Sequence, residues 1–248
     1  MISDTSPEIE QLSLRLRRAM PADRRLDLVF DISALGQAFE VGMLRHRNPG
    51  APWSQTRGLL ARKRYWDEAP ESVQWPEGEI PLGSRPPLLL VRTLEAMGID
   101  YAIGGGIAIA AHGEPRLAAD VDILARCNAG DLLGPLGSGF CAGGERSIFS
   151  KEEVLKIDFL PHDEGGFWES QLERKQWLRP GSMDGIALPV WSAEDSILAK
   201  LRWPKVECWR DILSIANVQL QHLDWSYLEE WAPRLGVADL LAKLPRYI

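Results

Sequence analysis

Apolar positions recur at spacings of three and four through residues 26–41. Leu26, Val29, Phe30, Ala34, Ala38 and Val41 form one helical stripe. Pro21 opens this helix, and Asn48-Pro49-Gly50 ends it. An earlier helix is predicted from Ser6 as its cap and Pro7 at its first position, with Leu12, Leu14 and Leu16 supplying apolar contacts. Gln55–Tyr65 predicts a third, basic helix. Leu88–Met97 reads as another helix, closed by Gly98. Ile99–Ile103 and Val154–Leu160 are short apolar runs, the pattern of buried strands. Near the end, Trp209, Ile212, Leu213, Ala216, Leu220 and Leu223 make a second helical stripe. Ser192 with Asp195 and Ser226 with Glu229 have the spacing of capping boxes. The pattern divides the chain into a helical module (1–66), a Pro-, Glu- and Gly-rich linker (67–87), a mixed core (88–190) and a helical region (191–248).

The core holds the candidate chemistry. Gly104-Gly105-Gly106 follows an apolar run and opens a small-residue helix. Such a turn lets backbone N–H groups approach a phosphate, and the helix N-terminus adds partial positive charge. A tight turn with no ligand is the alternative. Asp120-Val121-Asp122-Ile123 follows as a strand. Alternation puts both acids on one face, roughly 6.5–7 Å apart. Carboxylates that close attract a hard cation such as Mg²⁺, although two solvated acids on an edge strand fit the same pattern. Asp158 lies inside Val154–Leu160, where a lone acid costs free energy unless partnered. It meets Asp120 and Asp122 if the two strands are neighbours.

The pattern Gly-Gly, about a dozen residues, Asp-x-Asp, then a later strand Asp resembles the DNA polymerase β-like nucleotidyltransferase superfamily. Gly105-Gly106-Ile-Ala, His112-Gly113, Pro115-Arg116 and Asp120-Val-Asp122 are similar to its small bacterial branch. That branch includes the minimal nucleotidyltransferases and the nucleotidyltransferase-like toxins of abortive-infection and toxin–antitoxin systems. Ala193-Glu194-Asp195…Lys200-Leu, Trp209-Arg210-Asp211-Ile and the tail Leu223-Asp224…Leu235-Gly236 also resemble it, so the likeness spans roughly residues 86–248. It implies an α+β nucleotidyltransferase fold: a small mixed sheet flanked by helices, extended by helices at both ends. It implies Mg²⁺, or Mn²⁺, held by Asp120, Asp122 and Asp158, and an NTP bound at Gly105, Gly106, Arg116 and Lys200. An NMP would pass to an acceptor hydroxyl on tRNA or protein, with an antitoxin as a further partner. A nucleotide-sensing or partner-binding module with the same fold is the rival reading. One position departs from the pattern: relatives carry Arg-x-Thr-x-Asp-x-Asp, and Ala118 stands at the threonine.

Composition narrows the setting. The net charge of −7 argues against a wholly electrostatic nucleic-acid binder. Residues 1–66 carry 11 Lys/Arg against 7 Asp/Glu, a local +4 that leaves −11 on the rest. Arg57, Arg62, Lys63 and Arg64, near Trp53, Tyr65 and Trp66, fit either a nucleic-acid patch or a solvated helix face. Lys200 would reach a triphosphate or pack its stem on the surface. Arg210-Asp211 reads as an ion pair or a site wall, and His112 as a structural histidine or a cleft residue. Cys127, Cys141 and Cys208 are scattered, which fits a reducing cytoplasm. The opening Met-Ile-Ser-Asp-Thr lacks the pattern of a signal peptide, and no apolar run reaches membrane-span length.

Overall fold

The computed structural model describes residues 5–70, 73–82, 86–161, 166–203, 206–219 and 221–244. In chain order the elements are α1 (Pro7–Ala19), α2 (Ala22–Arg47), α3 (Trp53–Tyr65), α4 (Leu88–Ala96), β1 (Tyr101–Ile103), α5 (Gly105–His112), β2 (Val121–Ala125) and α6 (Ala129–Leu136). Then come β3 (Phe140–Ala142), β4 (Ser147–Ser150), β5 (Leu155–Phe159), α7 (Phe167–Glu173), β6 (Gln176–Leu178), β7 (Leu188–Val190), α8 (Ala193–Arg202), α9 (Val206–Gln219), α10 (Trp225–Arg234) and α11 (Ala238–Leu241). This is an α+β protein with a mixed sheet flanked by helices, as predicted. Two compact units divide it: residues 1–27, 108–115 and 164–248, and residues 28–107 and 116–163. Each is built from separated stretches, where the sequence pattern divides the chain consecutively. Among the described residues no helix is long and apolar enough to cross a membrane.

The sheet-bearing unit orders its strands β3-β4-β5-β2-β1. β2 and β5 run parallel, and the other pairs are antiparallel. Leu155, Ile157 and Phe159 of β5 are buried, while Lys156 and Asp158 between them are half-buried on the opposite face. In β2 only Asp122 escapes full burial. Each buried Leu, Ile or Phe contributes roughly 1.5–3 kcal/mol, so the apolar positions fix which face the polar ones must take. α6 packs against β3, β4 and α4. The α2 stripe is buried at Leu26, Val29, Phe30 and Val41, and Val41 joins Leu60, Ala61, Ile80 and Val154 in a second core. Ile80 lies in the stretch read as a linker, and it is buried.

Arg57 holds that stretch in place. Its side chain is almost wholly buried and donates to the carbonyls of Pro76 (2.8 Å), Gly78 (2.7 Å), Glu79 (2.9 Å) and Glu152 (3.3 Å). A buried guanidinium is tolerable when its donors are satisfied this way.

The helical unit has its own core, centred on Ile197, Leu198, Leu201, Ile212, Ile215, Ala216 and Leu228. α8 packs against α9 and α10, and β6 pairs antiparallel with β7. Several local expectations are corrected. α1 buries no residue; Ile9, Leu12 and Leu16 are exposed, and Ser6 makes no side-chain cap bond. In α9 Leu213 is exposed and Ile215 takes the core position; Leu220 lies outside the described residues. α10 is capped by Asp224, which accepts from the Tyr227 N–H at 3.0 Å, rather than by Ser226. At α8, Ser192 does accept from the Asp195 N–H (3.1 Å) as expected.

Two buried titratable groups sit in this unit. His112 Nε2 meets the Trp191 carbonyl at 2.6 Å, which requires the ring to donate from Nε2. Burial pushes its pKa down to about 4, against a smaller upward pull from that carbonyl. Asp195 accepts from Ser192 Oγ (2.6 Å) and Tyr227 Oη (2.6 Å), yet burial pushes it up to about 6. The two act in opposite directions on stability. The His112 contribution is present above its ordinary pKa of 6.5 and is lost as pH falls towards 4. The Asp195 contribution is present below 3.8 and is lost as pH rises through about 6.

Two predictions follow from these contacts. Arg57→Met should cost about 3 kcal/mol in urea denaturation, because buried carbonyls lose their donor. Thermal melts between pH 6.5 and 4 should fall less steeply for His112→Gln than for the parent protein, and more steeply for Asp195→Asn.

Candidate active site

The turn after β1 brings Gly104 to the backbone of β2, where its N–H donates to the Asp122 carbonyl at 2.9 Å. The next residue, Gly105, has φ +53 and starts α5. A Cβ built on Gly105 would overlap the Asp122 carboxylate outright. The glycine therefore admits an acid at the first turn of α5, where the helix dipole favours negative charge. Gly106 differs. A Cβ there would make only ordinary contact with Ala118 Cβ (3.8 Å) and Arg116 Nη2 (4.0 Å). Arg116 thus lies beside the turn, and its Nη1 also donates to the Leu117 carbonyl at 3.3 Å.

Asp122 and Asp158 are direct register partners on parallel β2 and β5. Their backbones stand about 4.8 Å apart, with both side chains on one face. Asp120 lies just before β2 rather than within it, and its charge acts on Asp158 and on Tyr65. The three predicted acids therefore belong to one neighbourhood. Among the described residues, however, no three His, Cys, Asp or Glu side chains are grouped as a ready-made metal site.

A lysine already pairs with one of these acids. Lys156 Nζ is 3.0 Å from Asp158 Oδ1 and also pairs with Glu68. Lys156 is two residues before Asp158 on one strand, so alternation alone places it on the same face; that spacing was its signal. Burial by itself lowers the Lys156 pKa, but Glu68 and Asp158 overcome it and the net shift is upward. Asp158 is also raised: burial dominates, Asp120 and Glu68 add to it, and Lys156 opposes it. The rise comes first from burial of the carboxyl, and the Lys156 ammonium offsets only part of it. Three carboxylates offer oxygen donors of the kind a hard divalent cation takes, with the Lys156 ammonium as the competing charge.

Tyr65 ties this neighbourhood together. Its hydroxyl donates to the Ala119 carbonyl (2.9 Å) or that of Val154 (3.3 Å), and it accepts from the Lys156 N–H (3.2 Å). Burial, with the Asp120 charge adding, raises its pKa, so it stays a neutral donor. At Ala118 the side-chain hydroxyl of the family pattern is missing, but Ser33 Oγ accepts from the Ala118 N–H at 3.1 Å. Neither Tyr65 nor Ser33 is close to the acids in sequence, which hid both.

No protein-family model matches the chain, and no curated protein does. A crystal structure of an antigenic nucleotidyltransferase-like protein from Paracoccidioides brasiliensis is similar at 19% identity and a TM-score of 0.40, covering 59% of this chain and 87% of that one.

The other predicted residues have partners of their own. Lys200 belongs to the helical unit, where its Nζ is 3.0 Å from Asp211 Oδ2. Asp211 therefore takes Lys200 as a partner, where the sequence suggested Arg210. His112 is the structural histidine described above. Of the basic helix, Arg57 is buried, and Lys63 and Arg64 both pair with Glu40 at 2.7 Å.

The two glycines of the turn should respond differently. Gly105→Ala is expected to cost more than about 2 kcal/mol, from the strained φ and the displaced carboxylate. Gly106→Ala should be neutral within about 0.5 kcal/mol. Urea denaturation of both variants checks this, and equal losses would contradict the account of Gly105.

Proposed function

We propose that the chain is a nucleotidyltransferase that moves an NMP from an NTP to an acceptor hydroxyl on tRNA or protein. One observation carries the reading. Asp122 and Asp158 are register partners beside a glycine turn that opens a helix. In this reading the β- and γ-phosphates lie on the N–H groups of Gly105 and Gly106, with Arg116 alongside. Asp158 accepts the proton of the acceptor hydroxyl. That oxygen bonds to the α-phosphorus as the bond to the β-phosphate oxygen breaks, and pyrophosphate leaves. Asp120, Asp122 and Asp158 would hold Mg²⁺ or Mn²⁺, which when bound neutralises charge on the attacking and leaving oxygens. For Asp158 to join that set, Lys156 must release it. A toxin–antitoxin or phage-defence setting, in the cytoplasm and with an antitoxin partner, is our extension from the sequence resemblance.

The Lys156–Asp158 ion pair favours a second reading, a nucleotide-sensing module in which the ammonium stands where a divalent cation would. Transfer of label from α-³²P-NTPs to tRNA or protein tests the first. Wild type should transfer, Asp120→Ala and Asp122→Ala should not, and Asp158→Asn should lose about 10²-fold or more. Equal transfer by wild type and the Asp120→Ala/Asp122→Ala double variant would sink it. NTP binding by calorimetry with no turnover, in wild type and Lys156→Gln alike, would establish the second.

A further inference from the structure

We infer that the cavity beside the end of α3 is a stacking subsite for bases of a single-stranded nucleic-acid acceptor. The cavity measures ≈ 370 Å³ and is lined by Trp66, Trp75, Arg62, Pro70 and Ala61, among others. That volume falls in the usual range for ligand sites. Trp75 is half-buried and packs on the core of Val41, Leu60 and Ile80, so it forms a fixed wall. Trp66 is 78% exposed, more than any other large apolar side chain among the described residues. Its backbone has φ +47, a region that L side chains rarely adopt. An exposed indole beside a fixed one offers flat apolar surface of the kind that bases stack on.

Charge selects the occupant. Arg57, Lys63 and Arg64 of the same helix are committed to carbonyls and to Glu40. Arg62 is exposed and lines the cavity. One guanidinium beside two indoles matches a base with its phosphate.

Position links the cavity to the acids. Tyr65, next to Trp66, bonds to the Ala119 and Val154 carbonyls, neighbours of Asp120 and of β5. Glu68, two residues beyond Trp66 and hence within about 7 Å along the backbone, pairs with Lys156, which holds Asp158. The wall of the cavity is thus fastened to both acid-bearing segments. As an acceptor subsite it rests on the transferase reading, but binding is measurable without turnover.

Fluorescence anisotropy of a short labelled single-stranded RNA and of the matching DNA, in EDTA without NTP, tests the inference. Wild type should bind. Trp66→Ala should weaken binding about tenfold with an unchanged circular dichroism spectrum, and Trp66→Phe should restore most of it. Arg62→Gln should weaken binding less and reduce its salt dependence by about one phosphate contact. Trp177→Ala, at another exposed indole, should change nothing. Comparable binding of RNA and DNA supports stacking as the source. The inference is overturned if Trp66→Ala binds like wild type, or if Trp177→Ala loses as much. Trp66-dependent capture of a proline-rich peptide without oligonucleotide binding also overturns it. Trp66-dependent binding in a protein that transfers no label leaves the subsite standing and the transferase reading fallen. Label transfer with Trp66-independent binding does the reverse.

Discussion

Asp122 and Asp158 stand side by side on parallel strands, and two like charges at that spacing need compensation. Much of the sheet-bearing unit is arranged around that need. Gly105 has no Cβ because the Asp122 carboxylate fills the space at the start of α5. Lys156 turns from the same face of β5 to Asp158, and Glu68 reaches in to hold Lys156. Tyr65 fixes the backbone before Asp120 and the backbone before Asp158 through one hydroxyl. Burial keeps the proton affinity of Asp158 raised, against the pull of the Lys156 ammonium. Carboxylate oxygens on one sheet face beside a helix start make a cation and a proton-accepting role chemically reasonable there.

The helical unit solves a different problem with similar means. Asp195, wholly buried, is bonded by two hydroxyls, and Arg174 stacks 3.9 Å over the Tyr227 ring while pairing with Glu194 and Asp224. Arg25, also buried, donates to the Ala111 carbonyl at 2.6 Å. Satisfied polar groups in a low-dielectric interior tie particular helices together, because any other packing leaves a donor or acceptor unpaired. His112 and Asp195 draw opposite pH dependence from the same cause, burial, since one is charged when protonated and the other when not.

The sequence by itself determined several elements, among them α2, α4 and β5, and the buried face of β5. Period-2 alternation placed Leu155, Ile157 and Phe159 opposite Asp158, and Gly98, with φ +65, closes α4 as its position after Met97 predicted. The α+β class came from the family resemblance, and spacing put Asp158 with the other acids only on condition that β2 and β5 are neighbours, which they are. Tertiary structure decided the partners. That Arg57 is a buried clamp and not a ligand cation depends on chain about 20 residues away returning to it. The cap at Asp224, the Lys200–Asp211 pair and the exposed face of α1 were hidden likewise, since each depends on which surface a neighbour covers. Lys156 is the instructive case: alternation fixed its face, but only the approach of Glu68 decided that its charge would be held at Asp158. Short-range periodicity is written in the chain, whereas compensation of charge is settled by distances between residues remote in sequence.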